Sequence, residues 1–206
     1  MIGIFGGTFD PPHYGHLRPA RELVNALGLA EVRFIPAANP PHRPPPVAAS
    51  ADRLKMLQLA IAHEPGFVAD DRELRRGGPS YTILTLEELR AELAGQPLCL
   101  IMGMDAFLGL DRWHRWQELW DYAHIVALPR PGWPVEQGLP AWARPRLCRQ
   151  ARELAQTPAG RLWVQPVTPQ DISATRIRAA LARGASVADW VPPAVLRYIR
   201  DNHTYS

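Results

Sequence analysis

The stretch Gly6 to His16 reads GGTFDPPHYGH, two imidazoles three residues apart behind a pair of glycines. These residue types suit chemistry on a phosphate. Gly6 and Gly7 let backbone N–H groups approach an anion without side-chain obstruction. His13 and His16 lie about one helical turn apart, so near a helix start they face one point. Gly15 between them has no side chain, which leaves its backbone open to packing by a nucleotide. The helix N-terminus adds a partial positive charge. Together these parts make a site for a polyphosphate whose negative charge grows during reaction. A glycine turn with two incidental histidines is the structural alternative. A metal pair is a further one, but His-x-x-His lacks the glutamate and the spacing of the zinc helix motif and no third ligand is visible, so no protein metal site is expected.

A second stretch, Ile172 to Arg178, reads ISATRIR. Ser173 is placed as a helix N-cap and Thr175 in the first turn, where hydroxyls and free N–H groups hold phosphate oxygens. Arg178 lies one turn further on and adds a fixed charge. On its own the stretch is equally an ordinary capped helix with surface arginines.

Elements must bring these pieces together. Met1 to Phe5 reads as a buried strand stopped by the glycine pair, followed by a helix from Gly15 or His16 to Leu27 with Gly28 at its end. Further strands are expected at Val32–Pro36, Phe67–Ala69, Leu98–Met102, His124–Leu128 and Leu162–Val167. Helices are expected at Ala51–His63, where Leu54, Leu57 and Ile61 recur at helical spacing, and at Tyr81–Leu93, Trp116–Tyr122, Ser173–Ala182 and Pro193–Asn202. Ala37 to Pro46 is a proline-rich loop, and Arg130 to Gln156 is irregular and then helical. This alternation predicts one α/β domain over residues 1–206: a doubly wound, mostly parallel, Rossmann-like sheet with helices on both faces and C-terminal helices. Ligands then bind beyond the carboxyl ends of the strands, so the loops after Phe5, Pro36, Met102 and Leu128 are the ones to read for chemistry.

Composition narrows the class. The chain has 206 residues, 47% hydrophobic and 21% charged, which is globular. Its 2 cysteines make neither a disulfide framework nor a zinc site, and favour a reducing compartment. The N-terminus lacks the basic region and cleavage site of a signal peptide, and Leu98–Leu110, the longest apolar stretch, is broken by Asp105 and too short to span a bilayer. A cytoplasmic protein without membrane partners is expected. The net charge of +3 rests almost wholly on arginine, scattered rather than in runs. That suits anionic small substrates, and a nucleic-acid partner is not expected.

GGTFDPPHYGH resembles the H-x-G-H signature of the nucleotidyltransferase superfamily with a dinucleotide-binding-like fold, and ISATRIR resembles its second motif, I-S-S-T-x-x-R, with Ala174 in place of the second serine. PPHR at Pro40–Arg43, GPSYT at Gly78–Thr82, the segment from Gly103 to Trp113 that begins GMD and ends RW, and LPRPG at Leu128–Gly132 make the chain similar, nearly end to end, to the bacterial nicotinate-mononucleotide adenylyltransferase family. The resemblance implies transfer of AMP from ATP to nicotinate mononucleotide, with Mg²⁺ on the triphosphate. The same chemistry on nicotinamide mononucleotide or phosphopantetheine is the alternative. It implies that His16, His13 and Arg178 are catalytic. It implies that Gly6, Gly7, Thr8, Phe9, Gly15, Gly103, Asp105, Ser173 and Thr175 bind ATP with them. Arg43, Thr82, Trp113 and Arg130 would bind the mononucleotide, the Trp113 indole by stacking on the ring. Asp105 has the alternative of capping the helix after Gly103, and Asp10 that of a turn residue before Pro11-Pro12. At least one of Trp113, Trp116 and Trp120 is expected in the core, and His42 and His114 are read as solvated loop histidines.

Overall fold

A computed structural model describes residues 1–41, 44–129 and 138–205 of the chain. Six strands, β1 (Ile2–Gly7), β2 (Glu31–Pro36), β3 (Phe67–Ala69), β4 (Leu98–Gly103), β5 (His124–Leu128) and β6 (Leu162–Val164), form one sheet in the order β3-β2-β1-β4-β5-β6. All five pairings are parallel. Strand order reverses between β1 and β4, which leaves a crevice at their carboxyl ends.

The alternation of side chains along each strand builds two cores. Leu98, Leu100, Met102, Ile125 and Ala127 point to one face, where they meet Ile83, Leu86 and Leu89 of α4 (Thr82–Glu92), and Phe107 of α5 (Met104–Leu108) and Trp120 of α6 (Leu119–Tyr122). Cys99, Ile101 and Val126 point to the other, against α1 (Tyr14–Leu27), α2 (Ser50–Ile61), α7 (Ala174–Leu181) and α8 (Pro193–Asp201). A five-residue helix, α3 (Arg72–Arg76), follows β3. Among the described residues no helix is long and apolar enough to cross a membrane.

Several boundaries differ from the sequence reading for identifiable reasons. β1 runs on through Gly6 and Gly7, because Gly7 pairs with Pro36 and its carbonyl accepts the Ala37 N–H at 2.8 Å. The last strand stops at Val164, two residues short of Pro166, which has no N–H to give a ladder. Trp116–Tyr122 divides into a 3₁₀ turn at Trp116–Glu118 and α6. Residues 151–156 are 3₁₀ rather than α, with Glu153 Oε1 accepting the N–H groups of Arg149 and Gln150 at 2.9 and 2.8 Å. On α2 the buried face carries Arg53, Met56 and Leu57, and Leu54 lies only partly buried.

His124 opens β5 fully buried. Its Nδ1 accepts the Arg161 N–H at 3.1 Å, so Nε2 carries the proton and donates to the Thr157 carbonyl at 2.8 Å. Burial pushes its pKa below the usual 6.5. The folded state therefore favours the neutral ring, and the unfolded chain takes up the proton first as pH falls. Stability from this site is complete above pH 6.5 and is lost as pH drops below it. Urea midpoints measured from pH 7.5 down to 5 should fall, and His124→Asn, which cannot protonate, should show a shallower fall from a lower starting point. Parallel pH profiles for the two proteins would contradict the assignment.

Candidate active site

A cavity of about 540 Å³ opens at the carboxyl ends of β1, β2 and β4. Gly6, Gly7, Thr8, His16, Gly103, Asp105, Thr82 and Trp113, all named from sequence, line it. Sequence segments up to a hundred residues apart meet here because the reversal of strand order puts the loops after β1 and β4 side by side.

The first turn of α1 sets the histidines. The His13 backbone N–H donates to His16 Nδ1 at 3.3 Å. In the neutral His16 ring the proton is then on Nε2, which makes that nitrogen the donor. Phe9 and Phe5 meet the His16 ring edge-on at 5.0 and 6.1 Å and hold its plane. His13 stacks on His16 with ring centres 3.8 Å apart, but it does not line the cavity. It is 4% exposed, and burial pushes its pKa down to about 4, so it is neutral at pH 7. Its Nδ1 has no hydrogen-bond partner among the described residues. Phe9 adopts a positive φ of 49° and its ring lies in the core, where it supports His16 from beneath.

The space beside Gly15, open in the sequence reading, is filled by the protein itself. A Cβ there would lie 2.8 Å from His13 Nδ1 and 3.1 Å from the Ile172 carbonyl. The second motif thus abuts the first at this residue. Ser173 caps α7, its Oγ accepting the Arg176 N–H at 3.3 Å, and Thr175 sits exposed in the first turn. Arg178 Nη1 donates to the Asp10 carbonyl at 2.6 Å. Ser173, Thr175 and Arg178 flank the glycine loop rather than line the cavity.

Three groups that organise the site escaped the sequence reading. Asp10, read as a turn residue, is 3% exposed and accepts the N–H groups of Val47 and Ala48 at 2.7 and 3.1 Å, tying the loop before α2 to the loop after β1. Arg53 is 1% exposed and donates to the Thr8 carbonyl at 2.8 Å and to Ser50 Oγ at 3.0 Å. Its spacing of four from Leu57 puts it on the buried face of α2, the one signal that could have found it. Ser80 Oγ accepts from the N–H groups of Ala38 and Asn39 at 2.8 and 3.1 Å, so the GPSYT segment fixes the loop after β2.

The far end of the cavity is the N-terminus of α4. Tyr81 caps it without a side-chain hydrogen bond, and Thr82 is its first residue. Glu73 also lines this end and accepts the Thr85 hydroxyl at 2.6 Å. Trp113 borders the cavity together with His114, an exposed turn residue as expected from sequence, whose ring lies 4.3 Å from that of Tyr81 at the cavity wall. Trp120 is core and Trp116 packs on Trp142 at 5.0 Å. Gly103 occupies the N-cap position of α5, and Asp105 lies in its first turn with the cavity before it. Arg43, Arg130 and His42 lie outside the described residues.

Comparison with known proteins agrees with this geometry. Residues 4–180 match the cytidylyltransferase-like family. A relative from Aeromonas hydrophila named "Probable nicotinate-nucleotide adenylyltransferase" is 53% identical over 99% of this chain and 96% of its own length. One of the same name from Methylococcus capsulatus is 48% identical over the full length of both. In fold the chain is similar to the Plasmodium falciparum nicotinic acid mononucleotide adenylyltransferase complexed with NaAD, with a TM-score of 0.72 at 15% identity, covering 99% of this chain and 96% of that one. With the strand order, the histidine pair and relatives of this identity and coverage all in agreement, the chain belongs to the cytidylyltransferase-like family and, within it, to the nicotinate-nucleotide adenylyltransferases.

Proposed function

We propose that this chain transfers AMP from ATP to nicotinate mononucleotide, giving nicotinate adenine dinucleotide and pyrophosphate, a step of NAD biosynthesis. The observation that carries this reading is His16 on the wall of the crevice at the carboxyl ends of β1 and β4, its Nδ1 accepting the His13 N–H and its ring set beside the glycine loop. The mononucleotide phosphate is already ionised at neutral pH, so no strong base is required. One of its oxygens attacks the α-phosphorus in line, the bond from that phosphorus to the bridging oxygen breaks, and pyrophosphate leaves opposite. Catalysis is then positioning and charge stabilisation.

The residues divide the work by where they sit. The backbones of Gly6, Gly7 and Thr8, with Phe9 and Gly15 as the frame, cradle the phosphates beside His13 and His16. Ser173, Thr175 and Arg178 hold the β- and γ-phosphates at the N-terminal end of α7. Gly103 and Asp105 take the nucleoside. Thr82 and Trp113 border the pyridine ring, and Arg43 and Arg130 contact the mononucleotide. Magnesium arrives on ATP as part of the substrate: Mg²⁺ keeps its waters and leans on phosphates, and no group of three ligating side chains converges among the described residues. Both cysteines are free and buried, which suits a reducing, cytoplasmic setting for a single domain over residues 1–206.

A carboxylate on the pyridine ring finds donors at the start of α4, where the Thr82 hydroxyl and the helix N-terminus favour negative charge. An amide there would turn its own NH₂ toward donors. The chain should therefore show a higher kcat/KM for nicotinate than for nicotinamide mononucleotide, and equal values would contradict the pocket assignment.

A donor placed for the transition state accounts for roughly 10²–10³ in kcat. His16→Ala should lower kcat by about that factor, with ATP affinity changed less because the loop amides and Arg178 remain. His63→Ala, at an exposed turn after α2, serves as the control and should leave kcat unchanged. Pyrophosphate release measures both, with circular dichroism to verify folding. A folded His16→Ala that keeps its kcat would remove His16 from the mechanism.

A further inference from the structure

The chain's last described residue reaches back to the glycine loop. Tyr205 donates its hydroxyl to Asp10 Oδ1 at 2.7 Å, across 195 residues of sequence. Two tethers deliver it there: the Tyr198 hydroxyl of α8 bonds Asp52 Oδ1 of α2 at 2.8 Å, and the Thr204 N–H closes a turn onto the Ile199 carbonyl at 3.0 Å. Tyr205 takes a φ of +73°, which a bulky residue adopts only when its surroundings hold it.

Three donors thereby fix the orientation of the Asp10 carboxylate. Oδ1 accepts Ala48 N–H and the Tyr205 hydroxyl, and Oδ2 accepts Val47 N–H. Arg178 stands beside it yet is not captured: Nη1 is 3.7 Å from Oδ2 and bonds instead to the Asp10 carbonyl at 2.6 Å. A captured arginine looks different in this same chain, where Arg72 places Nε and Nη2 on Asp70 Oδ2 at 2.8 and 2.6 Å.

We infer that Tyr205 is a positioning residue for the triphosphate: its hydroxyl holds Oδ1 and so fixes the orientation of the Asp10 carboxylate, which keeps Arg178 on the Asp10 carbonyl and available to the phosphates instead of closing onto the carboxylate. This rests on the assignment of Arg178 to the β/γ-phosphates. Burial beside Asp10 pushes the Tyr205 pKa up, so the hydroxyl remains a donor at working pH. Without that hydroxyl Oδ1 keeps one hydrogen bond, the carboxylate can turn, and the 3.7 Å separation of Oδ2 from Arg178 Nη1 can close to a direct charged hydrogen bond that competes with ATP. Neither Asp10 nor Tyr205 lines the cavity, so the effect on ATP runs through Arg178 rather than through a direct contact.

Tyr205→Phe removes one oxygen and keeps the ring. ATP binding measured by calorimetry without the acceptor should weaken about 5- to 10-fold, with binding of nicotinate mononucleotide and the melting temperature nearly unchanged. In an Arg178→Ala background the same substitution should alter ATP binding by less than about twofold, since the group it acts through is gone. Tyr198→Phe removes a tether of the tail but leaves the Tyr205 hydroxyl on Asp10, and should leave ATP binding as in the parent. The inference is overturned if Tyr205→Phe binds ATP normally, if its effect persists undiminished without Arg178, or if Tyr198→Phe weakens ATP as much. Because ATP binding is read without turnover, a parent enzyme that released no pyrophosphate from ATP and nicotinate mononucleotide would count against the functional reading alone.

Discussion

The first turn of α1 and the segment entering α7 approach so closely that residue 15 has room for a hydrogen and nothing larger: a Cβ would press on the His13 ring and on the Ile172 carbonyl. Everything the site does is arranged around that contact. The His13 ring occupies the space a side chain would take, and its stacking on His16, with the His13 N–H on His16 Nδ1, presents the His16 donor to the cavity. On the other side of the contact the chain turns into the Ser173 cap and carries Arg178 round to the carbonyl of Asp10. Two segments separated by more than 150 residues meet here because a single side chain is missing.

The sheet supplies the rest of the constraint. β1 is central, paired with β2 on one side and β4 on the other, so its C-terminal loop lies where strand order turns. The N-termini of α1, α4 and α5 follow or border that crevice. Buried polar groups then lock the loops. Asp10 joins the loop after β1 to the loop before α2, Arg53 holds the Thr8 carbonyl from below, and Ser80 gathers the loop after β2. Each is a hydrogen-bonded group in a site where an unpaired one would cost about 1–3 kcal/mol. The loops are thus set before any ligand arrives, which is what catalysis by positioning requires.

How much of this could be read from the sequence depended on distance along the chain. Parallel strands buried on both faces are continuous apolar runs, so Leu98–Met102 and His124–Leu128 stood out, and Phe67–Ala69 was found to the residue. His13 and His16 were legible because their relation is local, one turn of one helix. Asp10 and Arg53 were not, because their partners lie 37 and 45 residues away, and Tyr205 bonds across nearly the whole chain. A lone acidic residue before two prolines carries no sign of the amides that will converge on it. At Gly15 the space is taken by the His13 ring, two residues away, and by the Ile172 carbonyl, which local spacing could not place beside it. The helix expected at the end of the irregular stretch is 3₁₀ at residues 151–156, where Glu153 Oε1 accepts the N–H groups of Arg149 and Gln150.

The claim that the two motifs work as one surface through their contact at residue 15 is tested most directly by Gly15→Ala. Alanine is favoured over glycine in a helix by about 0.8–1 kcal/mol, so local propensity does not oppose the change and only the contact does. Steady-state pyrophosphate release from ATP and nicotinate mononucleotide should fall roughly 10²-fold, since displacements near 1 Å at a reacting centre cost that much. Circular dichroism and thermal melting should show the fold retained. A folded Gly15→Ala protein with the parent's kcat would contradict the account.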